Sequence, residues 1–138
     1  MENNIEKMSI SYTAEFIKDI PKLLKMFPPK HEKVFGHHST IAFKPSNLDG
    51  INIGNESMIK INGRVFDEKG DALLVDNPKS NNKNPHITLS CSKGISPFYS
   101  NELIEKAIKA GKVEYFKNSF EIEVVEGYSD GVNDIISK

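Results

Sequence analysis

Two short tripeptides hold the side chains of this sequence best suited to chemistry. They are His38-Ser39-Thr40, followed by Ile41-Ala42-Phe43, and His86-Ile87-Thr88, followed by Leu89. On an extended strand residues two apart project from the same face, so each histidine and its threonine point together. If the two strands lie side by side, two imidazoles and two hydroxyls converge. Imidazole titrates near neutrality, so one ring can take a proton while the other, protonated, gives one. That inventory suits cleavage of a phosphodiester by in-line attack. The base removes a proton from water, the acid protonates the leaving oxygen, and Thr40 and Thr88 donate hydrogen bonds to the non-bridging oxygens. The scheme needs no metal.

The elements that would position these residues follow from periodicity. Residues 8–17 alternate through Ile10, Tyr12, Ala14 and Phe16, the period of a half-buried strand. Asp19 then reads as an N-cap and Pro21 falls in a first helical turn. Ile20, Leu23, Leu24 and Phe27 form one apolar stripe, which Pro28 and Pro29 stop. Residues 34–43 form the next strand candidate, followed by a polar loop over 46–56. Residues 57–67 and 71–76 make a hairpin about Glu68-Lys69-Gly70, residues 77–85 a solvated loop, and residues 86–91 a strand. Ser100 can cap a helix over 101–112, with Leu103, Ile104, Ala107 and Ile108 on one face and Gly111 near its stop. Phe120, Ile122 and Val124 mark a last strand. The order β, α, β, β, β, β, α, β predicts an α+β domain whose helices cover an antiparallel sheet. A His-x-Thr strand in each half gives a faint internal echo and invites a two-lobed reading.

The 138 residues fit one domain able to bury a real core, with the core over about 8–125. Lys and Arg number 18 against 19 Asp and Glu, so the basic stripe of a protein that grips long duplexes is missing. A small or terminal phosphate ligand suits that balance. The single cysteine, Cys91, cannot form an internal disulfide. The N-terminal residues show neither an apolar leader core nor a membrane span, and the reading is a monomeric, cytoplasmic protein.

The two motifs, with their apolar followers Ile41 and Leu89, resemble those of the 2H phosphoesterase superfamily. That superfamily includes LigT-like RNA 2',3'-cyclic phosphodiesterases, the cyclic phosphodiesterase domains of fungal and plant tRNA ligases, and phage enzymes that degrade cyclic oligonucleotide signals. The stretches PPKHEKVFGHHSTIAFKPS and NPHITLSCSKGISPFYSNELI look like the flanks of motifs in RNA-repair-associated members. The resemblance covers residues 8–125. It implies a bilobed α+β fold, with antiparallel sheets lining a central cleft and helices on the outer faces. It also implies metal-independent hydrolysis of a 2',3'-cyclic phosphate or related nucleotide or RNA-end phosphodiester, without a cofactor, by His38, Thr40, His86 and Thr88. By analogy the product is a 2'-phosphate and His86 is the base that activates water. The span from His38 to His86 is shorter than in typical LigT-like members, which leaves less surface for a long RNA.

Other residues divide into candidates and background. Lys93 and the pair Phe98-Tyr99 lie between the second motif strand and its helix, where a cation could neutralise phosphate and an aromatic ring could stack a base. Tyr12 on the first strand is a further candidate wall. His37 should point away from His38 if the strand is regular, and His31, in a Lys-rich loop, reads as solvent-exposed. The spacing of His31, His37, His38 and His86 matches no common zinc pattern. Cys91 reads as a strand-end core residue. Two rivals use the same letters: a hydrolase of cyclic oligonucleotide second messengers, and an RNA-end or nucleotide-binding module without turnover. A binding module has no chemical need for two imidazoles.

Overall fold

The computed structural model describes residues 9–137. Met8, which opens the expected first strand, and the N-terminal residues read for a leader lie outside the described residues. No helix among those described is long and apolar enough to cross a membrane.

The chain opens with β1 (Tyr12–Ile17) and α1 (Ile20–Met26). Asp19 caps α1 as its sequence predicts, its side chain accepting from the Lys22 amide at 3.1 Å, while Pro21 sits in the first turn. Such a cap is worth about 1 kcal/mol. The strand expected over 34–43 is broken in two, β2 (Lys33–Val34) and β3 (His38–Phe43). The break is Gly36, whose φ of 66° is left-handed and disfavoured for any residue with a Cβ. The predicted hairpin is β4 (Glu56–Phe66) and β5 (Gly70–Asp76), closed by Asp67, whose side chain accepts from the Lys69 and Gly70 amides. β6 (His86–Cys91) follows, then α2 (Tyr99–Ala110), which stops on left-handed Gly111. The last strand grows to sixteen residues, β7 (Glu114–Ser129), and a short β8 (Asp134–Ile135) turns back on it.

The strands form a single antiparallel sheet in the order β1-β3-β6-β5-β4-β7-β8, with β2 beside β6. Because β1 also pairs with β7, from Tyr12 opposite Ser129 to Ile17 opposite Val124, six strands close into a ring. The resemblance implies antiparallel sheets, and strand pairing joins them here into one sheet that meets itself, which leaves few unpaired edges.

Strand alternation then sorts side chains into inner and outer sets. Ile59 and Ile61 of β4, Leu73 and Val75 of β5, Ile87 and Leu89 of β6, and Ile122 and Val124 of β7 meet inside the ring. Leu23 and Phe27 of α1 pack into that core, while Pro21, Lys22 and Lys25 of the same helix are exposed. Helix α2 packs Leu103, Ile104 and Ala107 on Val65, Ala72 and Leu74. Cys91 is fully buried at the end of β6, as read from its neighbours. His31 departs from its expected exposure. Its Nε2 lies 2.7 Å from the Asp67 carbonyl oxygen and 3.3 Å from that of Gly70, so it pins the β4–β5 turn.

Candidate active site

Strands β3 and β6 are neighbours in the ring, with Ser39 opposite Ile87. In an antiparallel pair that register sets His38 beside Thr88 and Thr40 beside His86, so each imidazole faces the other motif's hydroxyl. Ile87 and Leu89 fill the inner core, which forces His86 and Thr88 to the outer face. There, all four motif side chains line one cavity of about 410 Å³. Its walls also include Tyr12, His37, Phe43, Phe98, Asn82 and Asn101. Among the described residues no lysine or arginine lines it.

Each group is held by its own contacts. Tyr12 stacks on His38 with ring centroids 4.5 Å apart, in a wall position the sequence allowed for. The Nδ1 atoms of His37 and His38 lie 2.8 Å apart, and His37 Nε2 lies 2.6 Å from Asp134 Oδ2. His86 is 8% exposed and donates from Nδ1 to the Asn84 carbonyl at 2.8 Å, leaving Nε2 for the cavity. Thr88 Oγ1 pairs with Ser100 Oγ at 2.8 Å. Ser100 is therefore not the cap of α2. It lies inside the helix, and it ties the helix to the second motif.

The environment favours neutral rings at rest. Burial, then the charges His37 and His86 would carry, push the His38 imidazole down from 6.5 to about 3. Burial also lowers His86, against the Asn84 carbonyl, which favours its protonated form. Removing a charged form from water is costly, and binding an anionic ester supplies the counter-charge that would make protonation easier.

Loops complete the walls. The Ser80 hydroxyl donates to the Thr40 carbonyl at 2.7 Å and the Asn81 amide to the Ile41 carbonyl at 2.7 Å, which brings Asn82 to the rim. Lys33 Nζ donates to the Ile95 carbonyl at 2.7 Å and steadies the loop that carries Phe98. Phe98 and Phe43 meet edge to face at 5.2 Å and stay largely exposed, forming an aromatic lip.

Two candidates are placed elsewhere. Tyr99 points to the β4–β5 turn, where its hydroxyl donates to Asp67, and it opens a helix that starts two residues earlier than a Ser100 cap implies. Lys93 is exposed and is not among the lining residues. Conversely, sequence reasoning assigns no site role to His37, Asp134, Phe43, Asn82 or Ser100. His37 lies just before β3, so the alternation expected of a regular strand does not apply to it. Among the described residues no group of three or more His, Cys, Asp or Glu side chains is arranged to hold a metal ion.

An antiparallel α+β domain with two His-x-Thr strands side by side over one cavity falls in the 2H phosphoesterase class. More narrowly, the family model described as the fungal tRNA ligase phosphodiesterase domain matches residues 29–129, well over half of the chain, and the protein belongs to that family. No curated protein matches the chain. The matched span contains both motifs and ends before β8.

Proposed function

We propose that the protein is a metal-independent phosphodiesterase that opens a 2',3'-cyclic phosphate on a nucleotide or an RNA end. The observation that carries this reading is the convergence of His38, Thr40, His86 and Thr88 on one cavity. The cavity is read as the central cleft between two halves, β1 with β3 on one side and β6 with the start of α2 on the other. One imidazole takes a proton from water as its oxygen attacks phosphorus. The opposite P–O bond breaks, and the other imidazole, protonated, gives its proton to the departing ribose oxygen. Thr40 and Thr88 donate to the non-bridging oxygens, where charge builds in the transition state. Departure of the 3' oxygen leaves a 2'-phosphate.

The walls support a small ligand. A cyclic phosphodiester carries one negative charge, which neutral hydroxyls and a single imidazolium can match, and among the described residues no lysine or arginine lines the cavity. Phe98 and Phe43 offer a face for the base, and Asn82 and Asn101 offer amides to its polar edge. Lys93 and Tyr99 are left out of this binding scheme because neither lines the cavity.

Purified protein with EDTA, offered nucleoside 2',3'-cyclic phosphates, a cyclic-phosphate-ended RNA and cyclic di- and trinucleotides, tests the reading. Turnover of the first two with a 2'-phosphate product is expected. Turnover of the cyclic oligonucleotides alone would replace the substrate, and binding without turnover of any would replace the enzyme with a binding module.

A further inference from the structure

Two side chains for which the scheme above has no use, Asp134 and His37, form a chain that ends on His38. Asp134 Oδ2 lies 2.6 Å from His37 Nε2, and His37 Nδ1 lies 2.8 Å from His38 Nδ1. A carboxylate only accepts, so His37 donates from Nε2. A neutral His37 then has its lone pair on Nδ1, and His38 must donate its own Nδ1–H into it. That leaves His38 Nε2 as the nitrogen presented to the cavity.

The chain is built by backbone features. His37 lies just before β3, outside the regular strand, so strand alternation does not separate it from its neighbour, and His37 and His38 line the same cavity although they are adjacent. Asp134 comes from β8, which pairs Asp134 with Ser129 and Ile135 with Tyr128. Asp130 closes the turn into β8, accepting from the Val132 and Asn133 amides at 2.8 and 2.7 Å. Gly127 lets β8 lie close, since a Cβ there would collide with the Ile135 carbonyl oxygen. Asp134 lies past residue 129, where the family match stops, so this support comes from a segment outside the matched span.

We propose that His37 and Asp134 are positioning residues for His38: they fix its Nδ1–H tautomer, aim its Nε2 at the phosphate, and share the positive charge it carries whenever it holds a second proton. The inference rests on the reading of His38 as one of the two proton-transfer groups. It applies whether His38 takes or gives the proton, because the imidazolium occurs in both roles. The titratable groups around His38 are Tyr12 on β1, His37 beside it and His86 on β6, and Asp134 is the carboxylate of the chain. A carboxylate that only orients its histidine can still matter greatly, as catalytic triads show.

The test uses Asp134→Asn and His37→Ala beside the wild type, with thermal unfolding to check that both fold. Asp134 and His37 are partly exposed, so neither change opens a core cavity. Nitrogen-15 NMR of His38, assigned by the signal lost in His38→Ala, reads the tautomer without substrate. Wild type should show a proton on Nδ1 and a bare Nε2, and His37→Ala a mixture. With a 2',3'-cyclic nucleotide, kcat should fall about tenfold or more in both variants while KM changes by less than about twofold. In Asp134→Asn the limb of the pH–rate profile set by His38 should move to lower pH, because the imidazolium has lost its carboxylate. A wild-type proton on His38 Nε2, or an Asp134→Asn enzyme with unchanged kcat and unmoved limbs, overturns the proposal. If the wild type opens no cyclic phosphate, the hydrolysis reading fails, while the NMR tautomer still decides the support of His38.

Discussion

The two His-x-Thr strands share their letters but not their support. On β6, His86 is buried and donates to the carbonyl of Asn84, two residues back in its own chain, so its orientation is almost wholly local. Its threonine is held by Ser100 from α2. On β3, His38 leans on His37 and through it on Asp134 from the far end of the chain, with Tyr12 stacked across its face. The difference separates what a short motif specifies, the reacting atoms and their common face, from what the rest of the fold must supply. A motif of this kind fixes the chemistry. Tautomer and charge are set by neighbours that can be as far off in sequence as β8.

The comparison breaks most severely if one motif is dispensable. His38→Ala and His86→Ala should each lower kcat for a 2',3'-cyclic nucleotide by at least about a hundredfold, the usual cost of losing a general acid or base. A variant with near-native turnover would leave the remaining motif to work alone. Next in size is the lip. Phe98→Ala should raise KM for cyclic nucleotides by about tenfold with kcat little changed, since stacking a base on an aromatic ring is worth a few kcal/mol at most. Isothermal titration of the 2'-phosphate product should show the same loss. Smaller still is the support of the second threonine. Ser100→Ala should slow turnover by about three- to tenfold, the worth of one hydrogen bond, measured under saturating substrate.

Stability offers the mildest probe. His38 titrates at about 3 in the folded protein against an ordinary value of 6.5. Between those values the unfolded chain binds a proton that the folded one does not, so folding stability must fall as pH drops from 6.5 towards 3. His86 adds a fall of the same sign, because its value is also lowered. In urea titrations across that window, His38→Phe should therefore show a shallower pH dependence than the wild type. An identical slope would mean that His38 is as easily protonated folded as unfolded.

Much of the outer plan was legible because it rests on local signals. The cap at Asp19, the stop at Gly111, the hairpin about Gly70 and the alternation that throws His86 and Thr88 opposite Ile87 and Leu89 all act within a few residues. What the sequence hid is non-local. Ring closure needs β1 to pair with β7 more than a hundred positions away, and residues 114–119 lack the apolar alternation that announces a strand. Ser100 looks like a cap because serine suits one, yet the helix begins earlier and its hydroxyl serves Thr88. That shift also turns Tyr99 towards Asp67, which is why the aromatic pair divides, Phe98 at the cavity and Tyr99 away from it. His37 departs from strand alternation because β3 begins only at His38.

The central claim is that two imidazoles over one cavity deliver water to a cyclic phosphodiester. Hydrolysis of a 2',3'-cyclic nucleotide in oxygen-18 water with EDTA present, followed by mass spectrometry and phosphorus-31 NMR of the product, addresses it directly. The account predicts one heavy oxygen in a 2'-phosphate, formed by the wild type and suppressed in both His38→Ala and His86→Ala. Heavy oxygen entering at an equal rate in either variant, or no product from the wild type, would contradict it.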